Sequence, residues 1–201
     1  MGCQTQISDL SNIKAANAAL RGRKHLTPDE VATMITAAQK DRHGLRDALM
    51  ILLAYRHALR ASEIVNLTWD QIDLKNARIH VKRAKKGIDS THYLEGDEIR
   101  ALRALNRETG DHRYVFLSQK NGPLNERTFH TLVKRAGEVL DLGWPVHPHM
   151  LRHAKGAQLV NADAPLRAIQ LYMGHSSINS TIIYTHLEAK RFADFGKNDL
   201  R

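Results

Sequence analysis

The chain has 201 residues, which is enough for one large domain. Lysine and arginine number 30 against 21 acidic residues, and this net charge of +9 favours a polyanionic partner such as nucleic acid over a merely solvated charged face. The single cysteine, Cys3, excludes an internal disulfide and a cysteine-based zinc cluster. No apolar run is long enough to cross a membrane and no signal-peptide pattern begins the chain, so we expect a soluble cytoplasmic protein.

The first hundred residues predict a basic arm, helices and a small sheet. Residues 1–24 are polar and end in a basic run, which predicts a flexible arm before a domain over 25–201. Thr27-Pro-Asp-Glu30 is typical of a capped helix start, and that helix should reach about Lys40. A second helix is predicted over 44–58 and a short one from Ser62 to Leu67. The alternation of Ala77–Val81 predicts a strand that returns through a turn at 82–89 to a partner at 91–94.

The rest of the chain predicts helices separated by glycine and proline breaks. The expected fold class is therefore mainly α with a small antiparallel β-sheet. The predicted helices cover residues 95–107, 125–141, 148–161, 164–173 and 178–186.

Arg60 follows an apolar helix, where an unpaired guanidinium would be costly to bury. Its expected partner is Glu63, three residues on. This pair has two interpretations: a structural ion pair alone, or a carboxylate that holds Arg60 while the guanidinium grips a phosphate.

A second arginine and two histidines extend the phosphate-binding interpretation. His149 and Arg152 lie three residues apart and so share one helix face. Two arginines can offset the charge that grows in a pentavalent phosphorus transition state. His149 could then accept a proton and His175 could donate one to a phosphate oxygen. The alternative is that most of the 12 histidines are surface or core residues.

Tyr184 lies nine residues after His175, near the end of a helical stretch. Alone it would be read as a core tyrosine, but the whole set suits attack of a phenol on a phosphodiester. Neither a metal nor a cofactor is expected. His147, His149 and His153 suggest zinc only weakly, since no acidic residue lies among them.

Four segments together resemble the motifs of the tyrosine recombinases, also called phage-type integrases, over about residues 25–195. The resemblance implies the integrase-like catalytic-domain fold, with Arg60, Glu63, His149, Arg152, His175 and Tyr184 as catalytic residues. The segments are Leu59-Arg-Ala-Ser-Glu-Ile64, His149-Met-Leu-Arg-His153, Met173-Gly-His175 and Ile183-Tyr-Thr-His186.

Within that family, residues 53–57 and 147–153 look most like the short recombinases that invert fimbrial promoter DNA. Those relatives lack the separate N-terminal core-binding domain of most integrases. The family's catalytic lysine lies in a β-hairpin turn, and aligning Gly87 with the glycine that closes that turn gives Lys85, with Lys86 and Lys82 as alternates. Ala58 stands where the family usually has glycine.

The resemblance also implies the mechanism and the partners. Tyr184 attacks the scissile phosphate to give a 3′-phosphotyrosyl link, Lys85 protonates the leaving 5′ oxygen, and another 5′-hydroxyl reseals the strand. The expected assembly is a homotetramer on paired double-stranded DNA sites, with a C-terminal docking segment at 187–201 and accessory DNA-bending proteins as further candidate partners. Integration, excision and inversion all stay open. The alternatives are a type IB topoisomerase, a non-catalytic DNA-binding regulator and a metal-dependent nuclease.

Overall fold

The computed structural model describes residues 25–84 and 87–182. Helix α1 (Pro28–Gln39) begins with the predicted capping box: Thr27 Oγ1 accepts from the Glu30 amide at 3.3 Å, and Glu30 Oε2 accepts from the Thr27 amide at 2.7 Å. The predicted arm at 1–24, the lysines at 85 and 86, Tyr184 and the C-terminal docking segment lie outside the described residues.

Helix α2 (Gly44–Arg56) is the central element of the core, since nearly all of its apolar residues are buried. It packs against α1 and against two later helices, Gly96–Thr109 and Pro148–Asn161. It ends two residues earlier than predicted, and the chain turns sharply at Ala58, which has φ +51°. The short helix α3 (Ala61–Val65) follows at once, so Arg60 stands at the junction of two helices.

The predicted hairpin is present and belongs to a three-stranded antiparallel sheet of order β1-β2-β3. Strand β1 (Ile72–Asp73) precedes β2 (Arg78–Val81) and β3 (Ser90–Tyr93), with Ile79 opposite His92 and Val81 opposite Ser90. Ile79 and Val81 are buried while their neighbours are exposed, as the alternation predicted. Strand β1 was not predicted because two residues carry no readable alternation.

The remaining described helices follow the predicted order. They are α4 (Gly96–Thr109), α5 (Glu126–Gly137), α6 (Pro148–Asn161), α7 (Leu166–Met173) and α8 (Asn179–Ile182). Helix α5 is shorter than predicted because Glu138–Leu140 tightens into a 3₁₀ turn that ends at Asp141, where φ is +45°. The predicted fold class, mainly α with a small antiparallel sheet, is confirmed.

Candidate active site

Arg60 and Glu63 form the predicted ion pair at the start of α3. Arg60 Nη1 donates to Glu63 Oε1 at 2.6 Å, and the Arg60 amide donates to Glu63 Oε2 at 3.0 Å. The Glu63 side chain is buried, whereas that of Arg60 is 25% exposed. Arg60 is therefore held by Glu63 through Nη1 while its side chain stays partly exposed.

Glu63 also binds the turn between β2 and β3. Its Oε1 accepts from the Ala84 amide at 3.0 Å, and its Oε2 accepts from Arg83 Nη1 at 3.0 Å. Burial alone would raise the pKa of Glu63, but the hydrogen bonds from the Arg60 and Ala84 amides and the charge of Arg83 hold that pKa below 4.5. The ionised carboxylate thus links the first arginine of the site to the turn.

Arg83 is the residue that the sequence did not single out. Its side chain is completely buried, although it belongs to a basic turn. Besides its ion pair with Glu63, it donates to three backbone carbonyls. The sequence gave no sign that Arg83 is buried, because several nearby residues of the turn are also basic.

Arg152 projects from α6 into the same region and is 1% exposed. Its Nη1 donates to the Ala58 carbonyl, and its Nη2 donates to the Met173 carbonyl at 2.6 Å. These contacts connect the α2–α3 junction to the end of α7. They also fix the orientation of the guanidinium, and the charges of Arg152, Arg60 and Arg83 all act on His175.

His149 lies at the mouth of the site. It lines a cleft of about 130 Å³ together with Arg60, Ala61, His130 and Pro148. Partial burial and the charge of Arg152, followed by those of His147 and Arg60, lower the pKa of His149 below 6.5. Its imidazole is therefore neutral at physiological pH and can accept a proton.

The Met173-Gly174-His175 segment closes the site from the end of α7. Gly174 has φ +65°, and a Cβ there would lie 2.5 Å from Arg83 Nε, so both backbone conformation and space require glycine. His175 is buried, and its Nδ1 lies 2.9 Å from Thr181 Oγ1 on α8. Burial and the nearby charge of Arg152 lower the pKa of His175 to about 4, so it is neutral and presents an N–H donor.

A buried histidine pair anchors strand β3 beside the site, and the sequence did not reveal it. His57 Nδ1 lies 3.1 Å from His92 Nδ1, and His57 Nε2 lies 3.1 Å from Glu98 Oε1. Ser90 Oγ lies 2.9 Å from His92 Nε2, and the ring of Tyr172 stacks on His92 at 3.9 Å. Burial and the neighbouring His57 lower the pKa of His92 to about 3, so this network is built on neutral His92.

The structure thus gathers five of the seven predicted site residues: Arg60, Glu63, His149, Arg152 and His175. Tyr184 and Lys85 lie outside the described residues. In the part of the chain that the structure describes, no group of three or more histidine, cysteine or acidic side chains could hold a metal ion. Over the same residues, no helix has both the length and the apolar character needed to cross a bilayer.

Comparison with known proteins identifies the family. The model of the phage integrase family matches residues 24–191. The chain belongs to the phage integrase family. The type 1 fimbriae regulatory protein FimB of Escherichia coli (strain K12) is 38% identical to this integrase-family chain over 175 residues, covering 85% of the chain and 88% of FimB.

Solved recombinases share the fold. The crystal structure of XerA recombinase superposes with a TM-score of 0.72 at 25% identity, covering 85% of the chain and 63% of XerA. A post-cleavage complex of the XerH site-specific recombinase with a palindromic difH substrate gives 0.71 at 24% identity, covering 84% of the chain and 51% of XerH. The chain therefore spans less than two thirds of either solved structure. The predicted family and the predicted class of enzyme, a tyrosine site-specific recombinase, are confirmed.

Proposed function

We propose that this tyrosine recombinase cuts and rejoins double-stranded DNA at the cleft between α3 and α6, with Tyr184 as the nucleophile. The observation that carries the proposal is the convergence of Arg60, His149, Arg152 and His175 from three separate segments of the chain. Such a set supplies charge and proton donors to a phosphate without a bound metal.

The two arginines have different roles in the proposed site. Arg60 is partly exposed and lines the cleft, so it contacts the scissile phosphate directly. Arg152 is buried and oriented by two carbonyls, so it supplies fixed positive charge as the pentavalent phosphorus forms. Preorganised charge of this kind costs no rearrangement during the reaction.

Proton transfer is assigned to the histidines and to the lysine of the turn. Neutral His149 takes the proton of the Tyr184 phenol as its oxygen bonds to phosphorus. His175 donates to a non-bridging oxygen. Lys85 gives its proton to the 5′ oxygen as the P–O bond breaks, leaving a 3′-phosphotyrosyl link and a free 5′-hydroxyl. Attack of another 5′-hydroxyl on that link returns the phenol and reseals the strand.

The assembly that we propose is a homotetramer on two DNA sites, aided by accessory DNA-bending proteins. FimB carries the name of a fimbriae regulatory protein. Together with the resemblance to short recombinases that invert promoter DNA, this favours inversion of a DNA segment over integration or excision.

Covalent capture tests the proposed function and finds the DNA site at once. Purified protein is incubated with nicked duplexes whose half-sites are randomised, and DNA retained through strongly denaturing washes is sequenced. We expect one recurring site to be retained by the wild type, and Tyr184→Phe to bind that site without forming an adduct. An adduct of normal yield in Tyr184→Phe would remove Tyr184 from the role.

The same site distinguishes the alternatives. Recombination of a plasmid with two copies supports the recombinase, whereas relaxation of a one-copy plasmid without exchange supports a type IB topoisomerase. Sequence-specific binding with no adduct supports a non-catalytic regulator.

A further inference from the structure

Arg83 makes more contacts than an accessory charge of a surface turn requires. Its Nη1 donates to Glu63 Oε2 at 3.0 Å and to the Ala58 carbonyl at 3.1 Å. Its Nη2 donates to the His57 carbonyl at 3.2 Å and to the Tyr172 carbonyl at 2.5 Å. One side chain therefore joins the turn to α3, to the end of α2 and to the end of α7.

The backbone around Arg83 is held as well. The Arg83 amide donates to Asp89 Oδ1 at 2.7 Å across the turn, and the Gly87 amide donates to the Ala84 carbonyl at 3.2 Å. A Cβ on Gly87 would lie 2.7 Å from Arg83 Cβ and 2.8 Å from the Gly174 carbonyl. Both flanks of the segment that carries Lys85 are thus packed against the site.

We propose that Arg83 is a positioning residue that fixes the turn, and with it the general-acid lysine, against the scissile phosphate. The inference rests on the proposed function and deepens it. Arg83 cannot itself touch DNA in this arrangement because its side chain is fully buried. A lysine could not replace it, since one ammonium group cannot reach four acceptors spread over three elements as a planar guanidinium does.

The physical reason lies in the geometry of proton transfer. A general acid must lie within hydrogen-bond reach of the leaving oxygen, and a displacement of about 1 Å costs roughly 10² in rate. A turn of eight residues fixed only by its two strands would sample many positions. The buried contacts of Arg83 restrict that sampling on the side of the turn next to the site.

The decisive experiment changes the leaving group. The DNA site captured as described above is synthesised with either oxygen or sulfur at the bridging 5′ position, and a thiolate departs without a proton. For Arg83→Met we expect cleavage of the oxygen substrate to fall about 10²-fold. Cleavage of the sulfur substrate should stay near the wild-type rate. Equal loss on both substrates would overturn the proposal, because it would mean that Arg83 acts through the phosphate-binding residues.

A double-mutant cycle adds a readout that a general structural role would not give. If Arg83 acts through the lysine, Arg83→Met combined with Lys85→Ala should cleave the oxygen substrate no more slowly than Lys85→Ala alone. Losses that multiply would contradict the proposal. The matched control is Arg78→Met, which removes an exposed arginine from the same hairpin and should leave both substrates unaffected.

A second variant tests the proposal without removing the buried guanidinium, so its result does not depend on whether Arg83→Met folds. Asp89→Ala removes an exposed side chain that anchors the Arg83 amide, and it leaves the buried guanidinium intact. We expect the same selective loss on the oxygen substrate, with faster hydrogen exchange of the Ala84 and Gly87 amides. Unchanged exchange and unchanged cleavage in Asp89→Ala would count against the proposal. If the wild type cleaves neither substrate, the proposed function itself fails, and the exchange data still show whether Arg83 and Asp89 fix the turn.

Discussion

Arg152 donates a hydrogen bond to the carbonyl oxygen of Ala58, a residue held in the left-handed region at φ +51°. The same carbonyl accepts from Arg83. The sharp turn after α2 thus directs one carbonyl oxygen at two buried guanidinium groups. The positive φ favours a small residue at position 58.

The stability of variants at Ala58 should depend on the energetic cost of the left-handed backbone conformation for the new residue. Ala58→Gly should remain within about 1 kcal/mol of wild type, since relief of roughly 1–2 kcal/mol of strain is offset by lost methyl burial and greater unfolded-state freedom. Ala58→Val should lose about 2 kcal/mol or more from strain and overpacking. Urea denaturation measures both, and a Val variant as stable as the Gly variant would contradict the assignment.

Glu63→Gln should destabilise the fold and slow cleavage together. The change leaves the buried guanidinium of Arg83 without its counter-charge, and breaking a buried ion pair in this way costs about 3–5 kcal/mol. Chemical denaturation gives the stability, and single-turnover adduct formation gives the activity. Glu108→Gln, on the exposed surface of α4, is the control and should change stability by less than about 0.5 kcal/mol.

The pH dependence of cleavage should show an acid limb set by His149. His149 acts as a base in its neutral form, and its pKa lies below 6.5 because of burial and the charge of Arg152. From pH 8 into the acid range, the rate should therefore fall with a midpoint below pH 6.5. Rates of adduct formation across this range test the assignment, and an acid limb centred above pH 6.5 would contradict it. In His149→Gln the remaining slow cleavage should lose that limb.

Acid should destabilise the fold through His92. Its pKa is about 3 in the folded protein against 6.5 for an unperturbed histidine, so between these values the unfolded state binds more protons. The free energy of unfolding should fall as pH drops from 6.5 towards 3, by up to about 1.4 kcal/mol per pH unit from this residue. His92→Gln should be less stable at pH 7 but show a shallower decline. A decline of equal slope in both proteins would exclude His92 as its source.

Excess EDTA should leave strand cleavage unchanged. Arg60 and Arg152 supply the positive charge that a divalent metal supplies in nucleases. Adduct yield is measured with and without chelator after dialysis. Loss of activity with EDTA and recovery with magnesium or zinc would instead favour a metal-dependent nuclease.

Sequence alone determined the features that depend on local pattern or on motif order. The capping box at Thr27, the alternation of β2 and the pairing of Arg60 with Glu63 each need residues no more than about four positions apart. Their physics is therefore visible in a short window of sequence. The recombinase motifs are also short, and their residue types and order along the chain identified the family.

Contacts between residues far apart in the chain could be seen only in the folded protein. Arg83 looks like one more cation of a basic turn, and its burial follows from where the hairpin packs against the ends of α2 and α7. The His57–His92 contact likewise joins a helix end to a strand 35 residues later. An arginine or a histidine looks the same in the sequence whether its side chain faces water or the core. Its environment is set by which distant carbonyls and carboxylates the fold brings within hydrogen-bond reach.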